Sequence, residues 1–580
     1  MIHASFIRNF FPIESTSDFV KFFDAYLSEF GRECNLAFLS ILVGFIENEL
    51  IEIGSQLNLS TLDEVKCEDA KSFTYSFDNK GAFVKDISRK RRRSFPFTFS
   101  ICFEDVESLY EKFASFILGL VPVTTDDLKC TSRDLLKLIS NTVWNGLQRN
   151  YQKDRAHMQS VYSYLTTSRL DSFGVAFTVV AACQIVGLED VHLTVSEDHV
   201  WVTFGDNDTA EVTWHGRGIE DRRGQPVDAG ISDRLWLYLN GDAMVCDRFM
   251  EIASSIASIN FSITEKIDSK VLIVMQQQLL WILYNKGYID QYPTVLAHLG
   301  DLEDIEQTNN RFQAVDLYQA AIKSSFHFYN DAFIYPYIYL GKHCLRKNKP
   351  RDAFANWAKA AKVISRYSYS KEDEEAYRDF FEIAHQCIPD LLKLSDVKND
   401  PICFCYLIQF MDGICLWEEG SQTPILHITW AQALTPCLLS FPFSTRSAVR
   451  FYTISDRNVD VNGNKQIPKD CSVDVLARVM SQTIFSPLFI VGAAPSPEKR
   501  QDPFKIKDKV ALSIYSNKMC LLADILLAEK VAASAVSLQL TAQANPSGRR
   551  KVRSALPLDY INISRKKIKS VNSKPPSPVF

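Results

Sequence analysis

An internal repeat constrains the fold of this 580-residue chain more than any other feature. Ala314-x3-Tyr318-x2-Ala321 recurs as Ala353-x3-Trp357-x2-Ala360, and Tyr337-x2-Leu340-Gly341-x2-Cys344 precedes the second copy where a partner helix belongs. Alanine lets two helices approach and the bulky residue fills the hole beside it, so each copy reads as part of a helical hairpin. The copies lie about 39 residues apart rather than the ~34 of an ideal tetratricopeptide repeat, which predicts enlarged loops. Generic antiparallel helices with small residues at their contacts are the alternative.

Helical spacing continues outside the repeat. Phe19, Phe22, Phe23, Tyr26 and Leu27, then Leu36, Phe38, Leu39, Leu42 and Ile46, predict two amphipathic helices. The pattern from Ile252 to Leu394 is almost wholly helical, as are Tyr406 to Trp417 and Ala511 to Ala542, with a less regular stretch around Pro436 and Pro442. Alternation with aromatics between Cys67 and Phe103, around Arg89-Lys90-Arg91-Arg92-Arg93, reads as a hairpin-like insertion. A small-residue helix, Gly174 to Val186, is followed by strand-like runs at Val191 to Val195, Val200 to Phe204 and Glu211 to Trp214. The expected fold class is mainly α with a small antiparallel β component. Such a length exceeds one core and implies several packed units.

With 46% hydrophobic and 23% charged residues the chain has the balance of a globular protein, and a net charge of -5 leaves nucleic-acid contact to local patches. The 14 cysteines lack the paired spacings of a zinc site and read as buried thiols in a reducing compartment. No apolar run is long enough to span a bilayer, so no membrane partner is expected. No cofactor or metal is expected either; the turn-forming glycine of a calcium loop is missing near the carboxylates.

Three constellations carry chemistry. The order of small-residue helix and then Asp198-His199-Val200-Trp201 on a strand resembles a papain- or transglutaminase-like site, where a cysteine opening the helix is activated by a histidine that a third polar group orients. Ser172 and Phe173 stand at the nucleophile position, Cys183 lies deep in the helix, and Val212 to His215 occupy the stretch where an orienting aspartate belongs. This predicts a degenerate site, with Ser172 as the remaining alternative nucleophile. In the second constellation Tyr335, Tyr337 and Tyr339 precede Glu375, Asp379 and Glu382, three carboxylates on one helix face. They repel one another unless a cation sits against them, which a basic peptide would supply. The third is a Pro-, Ser- and Lys/Arg-rich tail from Asn545, predicted to be disordered, whose Arg549, Arg550, Lys551, Arg553 and Arg565, Lys566, Lys567, Lys569 have the form of nuclear import signals or nonspecific phosphate contacts.

Blocks across most of the chain resemble the menin family of nuclear scaffold proteins. They include Tyr151-x-Lys-Asp-Arg-Ala-His-Met-Gln-Ser160, Leu170-Asp-Ser-Phe-Gly-Val-Ala-Phe177, Ser196-Glu-Asp-His-Val-Trp201, Ala210-Glu-Val-Thr-Trp-His-Gly216, Ile334-Tyr-Pro-Tyr-Ile-Tyr-Leu340 and Asp412-Gly-Ile-Cys-Leu-Trp-Glu-Glu-Gly420. The resemblance implies an N-terminal region over 1–118, an inactive transglutaminase-like domain over 119–248, a helical palm with tetratricopeptide-like repeats over 249–402, a C-terminal finger region over 403–542 and a basic tail over 543–580.

It also implies a tumour-suppressor-type scaffold that is not an enzyme and regulates transcription through chromatin. Its central cleft takes an N-terminal peptide of mixed-lineage-leukaemia-type histone H3 lysine-4 methyltransferases or a JunD-like transcription factor. A chromatin-reader partner on the complex and nonspecific DNA at the tail are further implied partners. Cleft positions that match unchanged are Asp154, Asp198, His199, Tyr292, Tyr335, Tyr339, Cys344, Trp357, Glu375 and Glu382. Val195, Ala257 and Ser258 complete the set with the departures: Phe173 for a small serine, Ser254 for a large aromatic, Val200 for alanine, Thr294 and Ile338 for methionines and Asp379 for glutamate. Tyrosine and tryptophan are expected as apolar walls, and the carboxylates as partners for peptide arginines. A thiol hydrolase or transferase is the rival reading, disfavoured by the missing cysteine, and direct DNA binding through the tail is another.

Overall fold

The computed structural model describes residues 4–64, 99–122, 129–148, 157–197, 199–213, 243–259, 267–308, 312–367, 375–420, 426–454, 512–528 and 534–536. The expected insertion around Arg89 to Arg93, the basic tail, Asp154 and Asp198 lie outside them.

The N-terminal helices are α1 (Ala4–Ile7), α2 (Thr16–Phe30), α3 (Leu36–Glu64) and α4 (Phe103–Leu120). Ser15 starts α2, its Oγ accepting the Asp18 N–H at 3.2 Å, and Phe19, Phe22, Phe23, Tyr26 and Leu27 then share one buried face. Next come α5 (Arg133–Asn145), α6 (Val161–Thr167) and α7 (Ser172–Ile185). Asp171 caps α7 by accepting the Gly174 N–H at 2.6 Å. Every residue from Gly174 to Cys183 is buried, because this helix is apolar on all sides and sits between α3, α4, α5 and the sheet.

The sheet holds β1 (His192–Val195), β2 (Val200–Phe204), β3 (Asp208–Ala210) and β4 (Met244–Val245), antiparallel in the order β3-β2-β1-β4. Val195 pairs with Val200 across the β1–β2 turn. The expected third strand at Glu211 to Trp214 is displaced. Phe204 pairs with Asp208 across a three-residue turn in which Asn207 adopts φ 69°, so the strand starts sooner and ends at Ala210.

Then follow α8 (Arg248–Ala257), α9 (Ile267–Asn285), α10 (Pro293–Ile305), α11 (Ala314–Tyr329), α12 (Tyr335–Arg346) and α13 (Pro350–Ile364). The repeat is visible in the packing: α10 lies on α11 and α12 on α13, each pair held by an aromatic ring over a glycine. A Cβ at Gly300 would meet the Tyr318 ring at 2.8 Å, and one at Gly341 would collide with the Trp357 indole.

The helix α14 (Glu375–Glu382) passes through a π-helical turn, Ile383–Cys387, into α15 (Ile388–Leu391), where Pro389 has no N–H to return to the preceding turn. The chain continues with α16 (Ser395–Lys398), α17 (Pro401–Gly420), α18 (Leu426–Leu439), α19 (Phe443–Arg446), β5 (Val449–Tyr452), β6 (Leu512–Tyr515) and α20 (Asn517–Leu526). Two expectations change here. Leu512–Tyr515 is a strand paired in parallel with β5, because Leu-Ser-Ile-Tyr alternates and Ser516, capping α20 through the Met519 N–H at 3.1 Å, stops any helix running back through it. Pro436 lies inside α18 rather than in an irregular stretch. The backbones of α4 and α17 run unbroken through 118–119 and 402–403.

The result is a mainly helical protein with a small antiparallel sheet. Most described cysteines are buried, but Cys102 and Cys130 are exposed. No described helix is long and apolar enough to cross a membrane, and no group of three or more His, Cys, Asp or Glu among the described residues could hold a metal ion.

Candidate functional site

The site is assembled from three sets of residues. The first lies on the sheet. His199 Nε2 is 2.6 Å from Glu211 Oε2, and Glu211 is fully buried, its Oε1 accepting the Thr213 N–H at 2.5 Å and the Thr213 hydroxyl at 2.6 Å. A carboxylate oxygen only accepts, so Nε2 donates in this hydrogen bond. The Trp201 ring lies nearly parallel to His199 with centroids 6.2 Å apart. The expectation that no carboxylate orients His199 is therefore corrected: with β3 ending at Ala210, Glu211 turns back toward the histidine. The sheet thus carries a histidine paired with a buried carboxylate.

No cysteine opens α7. Ser172 opens α7, the neighbouring Phe173 stacks on Phe177 with centroids 5.7 Å apart, and Cys183 is enclosed in the core, where burial pushes its thiol well above the ordinary range.

The second set forms the floor between α8 and α10. Ser254 donates to the Met250 carbonyl at 2.7 Å, so the Tyr292 hydroxyl, 2.8 Å away, donates to Ser254 Oγ. Both side chains are buried, as are Val195 and Val200 in the sheet. Ala257, Ser258 and Thr294 are half-buried.

The third set is a wall along α12 and α14. The Tyr335 and Tyr339 rings meet at a tilt of 31° with centroids 5.7 Å apart, and Tyr339 also lies 6.4 Å from Tyr318. Trp357 and Ile338 are wholly buried, so they are corrected from surface wall to core: Trp357 is the ring locked over Gly341. Cys344 is buried as well, its thiol pushed up to about 11 by desolvation. On α14, Asp379 and Glu382 do meet a cation, but an internal one. Lys342 Nζ donates to Asp379 Oδ1 at 2.8 Å and to Glu382 Oε2 at 3.0 Å. Glu375 begins α14, and its side chain is outside the described residues.

Glu197 joins the sheet to this wall. From the β1–β2 turn it accepts the Ile334 N–H at 2.6 Å and the Tyr335 N–H at 3.2 Å, and its other oxygen meets the Tyr367 hydroxyl. A carboxylate there satisfies two donors that a helix start leaves open and faces the positive end of the helix dipole. Sequence reasoning missed Glu211, Lys342 and Glu197. Lys342 was the accessible one, since it falls three residues after Tyr339 and seven after Tyr335 on one helix face.

The sequence model of the menin family matches residues 1–477 and 487–566. The chain belongs to the menin family. A solved structure reported as the crystal structure of menin that reveals the binding site for Mixed Lineage Leukemia (MLL) protein is 36% identical to it, covering 91% of this chain and 99% of that one with a TM-score of 0.63. The menin fold, mainly helical with a small antiparallel sheet, thus extends over the length in which the three sets lie.

Proposed function

We propose that this menin-family chain is a non-catalytic nuclear scaffold that holds a short peptide between the sheet and the α12–α14 wall. The observation that carries the reading is the Glu197 junction. It sets the turn bearing His199 against the start of the helix bearing Tyr335 and Tyr339, so aromatic and polar groups from separate elements share one frame. In this reading residues 119–248 are a transglutaminase-like domain without its thiol, and 249–402 a palm of tetratricopeptide-like hairpins. Residues 403–542 form a finger region.

The proposed ligand is an N-terminal peptide of a mixed-lineage-leukaemia-type histone methyltransferase, with a JunD-like factor as competitor for the same cleft. Asp154, Asp198 and Glu375 add carboxylates to the cleft. Arg549 to Arg553 and Arg565 to Lys569 serve nuclear import and salt-sensitive DNA contact. Support for the ligand class comes from the 36% identical menin whose structure was reported with an MLL-binding site. Calorimetric titration of the full chain with a peptide bearing a Phe-x-Phe-Pro anchor should give saturable heat at micromolar concentration. No heat in the high micromolar range rejects the reading.

The His199–Glu211 pair favours one second reading, residual acyl-transfer chemistry with Ser172 as nucleophile. It predicts that Ser172→Ala abolishes thioester hydrolysis by the purified chain. The scaffold reading predicts no such hydrolysis to abolish.

A further inference from the structure

The acidic end of the cleft already holds a cation. Tyr335, Tyr339 and Lys342 follow one another at i, i+4 and i+7 along α12, so the ammonium lies at the end of the tyrosine stripe. It bridges Asp379 and Glu382, which stand three residues apart in the last turn of α14. Two carboxylates so close repel, so a counter-charge is favoured with or without a ligand.

Neighbouring cations are engaged elsewhere. Asp304 on α10 is bound by His343 Nδ1 at 2.7 Å and by Arg346, and Arg346 also approaches Asp301 at 3.9 Å. Lys342 is thus the described cation assigned to the Asp379–Glu382 pair. Its side chain is 23% exposed and that of Glu382 is 43% exposed, so the bridge stands at the solvent boundary, where a ligand can reach it. The π-helical turn begins at the next residue, Ile383, a local widening of the kind often found beside binding sites.

We propose that Lys342 is a resident counter-ion that sets the charge selectivity of the cleft. It occupies the position a basic ligand side chain would take, so a peptide arginine must displace it and gains little, while a neutral residue there leaves the bridge intact. This rests on the peptide-cleft reading above. The mechanism is substitution of one ion pair for another, in which the net number of pairs does not change.

Two peptides with the same Phe-x-Phe-Pro anchor, one carrying arginine and the other glutamine toward α14, test it by calorimetry on the full chain. Wild type should bind them within about threefold of each other. Lys342→Met should tighten the arginine peptide roughly tenfold, as for a gained charge-assisted hydrogen bond, and steepen its salt dependence, leaving the glutamine peptide unchanged. Asp379→Asn with Glu382→Gln should act in the opposite sense: the arginine peptide weakens and a glutamate-bearing analogue tightens. This pair also decides the matter if Lys342→Met fails to fold. An unchanged arginine-to-glutamine ratio in the folded variants, with both peptides still bound, overturns the proposal alone. Binding of neither peptide to any form overturns it together with the cleft.

Discussion

The sheet and the α12–α13 hairpin hold their candidate side chains by contrasting means. In the hairpin an apolar lock, the Trp357 ring over Gly341, fixes two helices, and the residues that face outward from α12 make few demands on the fold. In the sheet the fixing groups are themselves polar. Glu211 holds His199, and Glu251, fully buried, accepts from His192 Nδ1 at 3.2 Å, from the Leu193 N–H at 3.1 Å and from Arg248 at 2.5 Å. A packed hairpin tolerates change on its open face, whereas a buried polar network fails when any one member is lost.

Trp357→Ala should break the hairpin side of this contrast most severely, costing about 3–5 kcal/mol by leaving a cavity at the α12–α13 contact. Thermal melting should show it; a loss below ~1 kcal/mol would show that the lock does not hold the pair. Glu251→Ala removes the acceptor of three donors and strands the buried Arg248 guanidinium, with an expected loss of about 3 kcal/mol. A double substitution with Arg248→Met should recover much of that loss, which a purely packing role for Glu251 does not predict.

A pH series sharpens the comparison from the hairpin side. His298 on α10 has a buried Nε2 without a partner, and desolvation lowers its ring to about 4 from the ordinary 6.5. The unfolded chain takes up a proton near 6.5 that the folded ring refuses, so stability present at neutral pH is lost as the pH falls toward 4. That amounts to roughly 2–3 kcal/mol. His298→Phe lacks this proton uptake, so its urea midpoint should fall less than that of wild type as the pH drops from neutral toward 4; parallel pH profiles would show that His298 does not carry the loss. The smallest effect is expected where the two regions meet: Glu197→Ala should cost about 1–2 kcal/mol by uncapping α12. Hydrogen exchange at Ile334 and Tyr335 should rise while the sheet amides keep their protection.

Most helices were legible because their apolar spacing is set by local geometry. The Tyr318 and Trp357 repeat was legible because alanines at fixed distances on either side of a bulky ring leave a mark in the sequence, whereas Gly300 beneath Tyr318 was not read. What stayed hidden depends on how far the chain turns between elements. Glu211 seemed to be part of a strand until the turn at Asn207 shortened the approach. Lys342 could be placed on a helix face, yet its partners lie 37 and 40 residues away, beyond the whole of α13. Trp357 was expected as a wall, and its burial follows from Gly341 beneath it rather than from its own composition.

Glu197 gives the molecule a direction in time. The residue that caps α12 is made 137 residues before the backbone N–H groups it serves. During synthesis the sheet has left the ribosome before α12 appears, so the helix emerges to find its first turn already provided for. A fragment beginning after the sheet would have to nucleate α12 without that carboxylate, which makes the helices from α8 onward a poor candidate for expression on their own. The order of the chain is part of how its two halves come to fit.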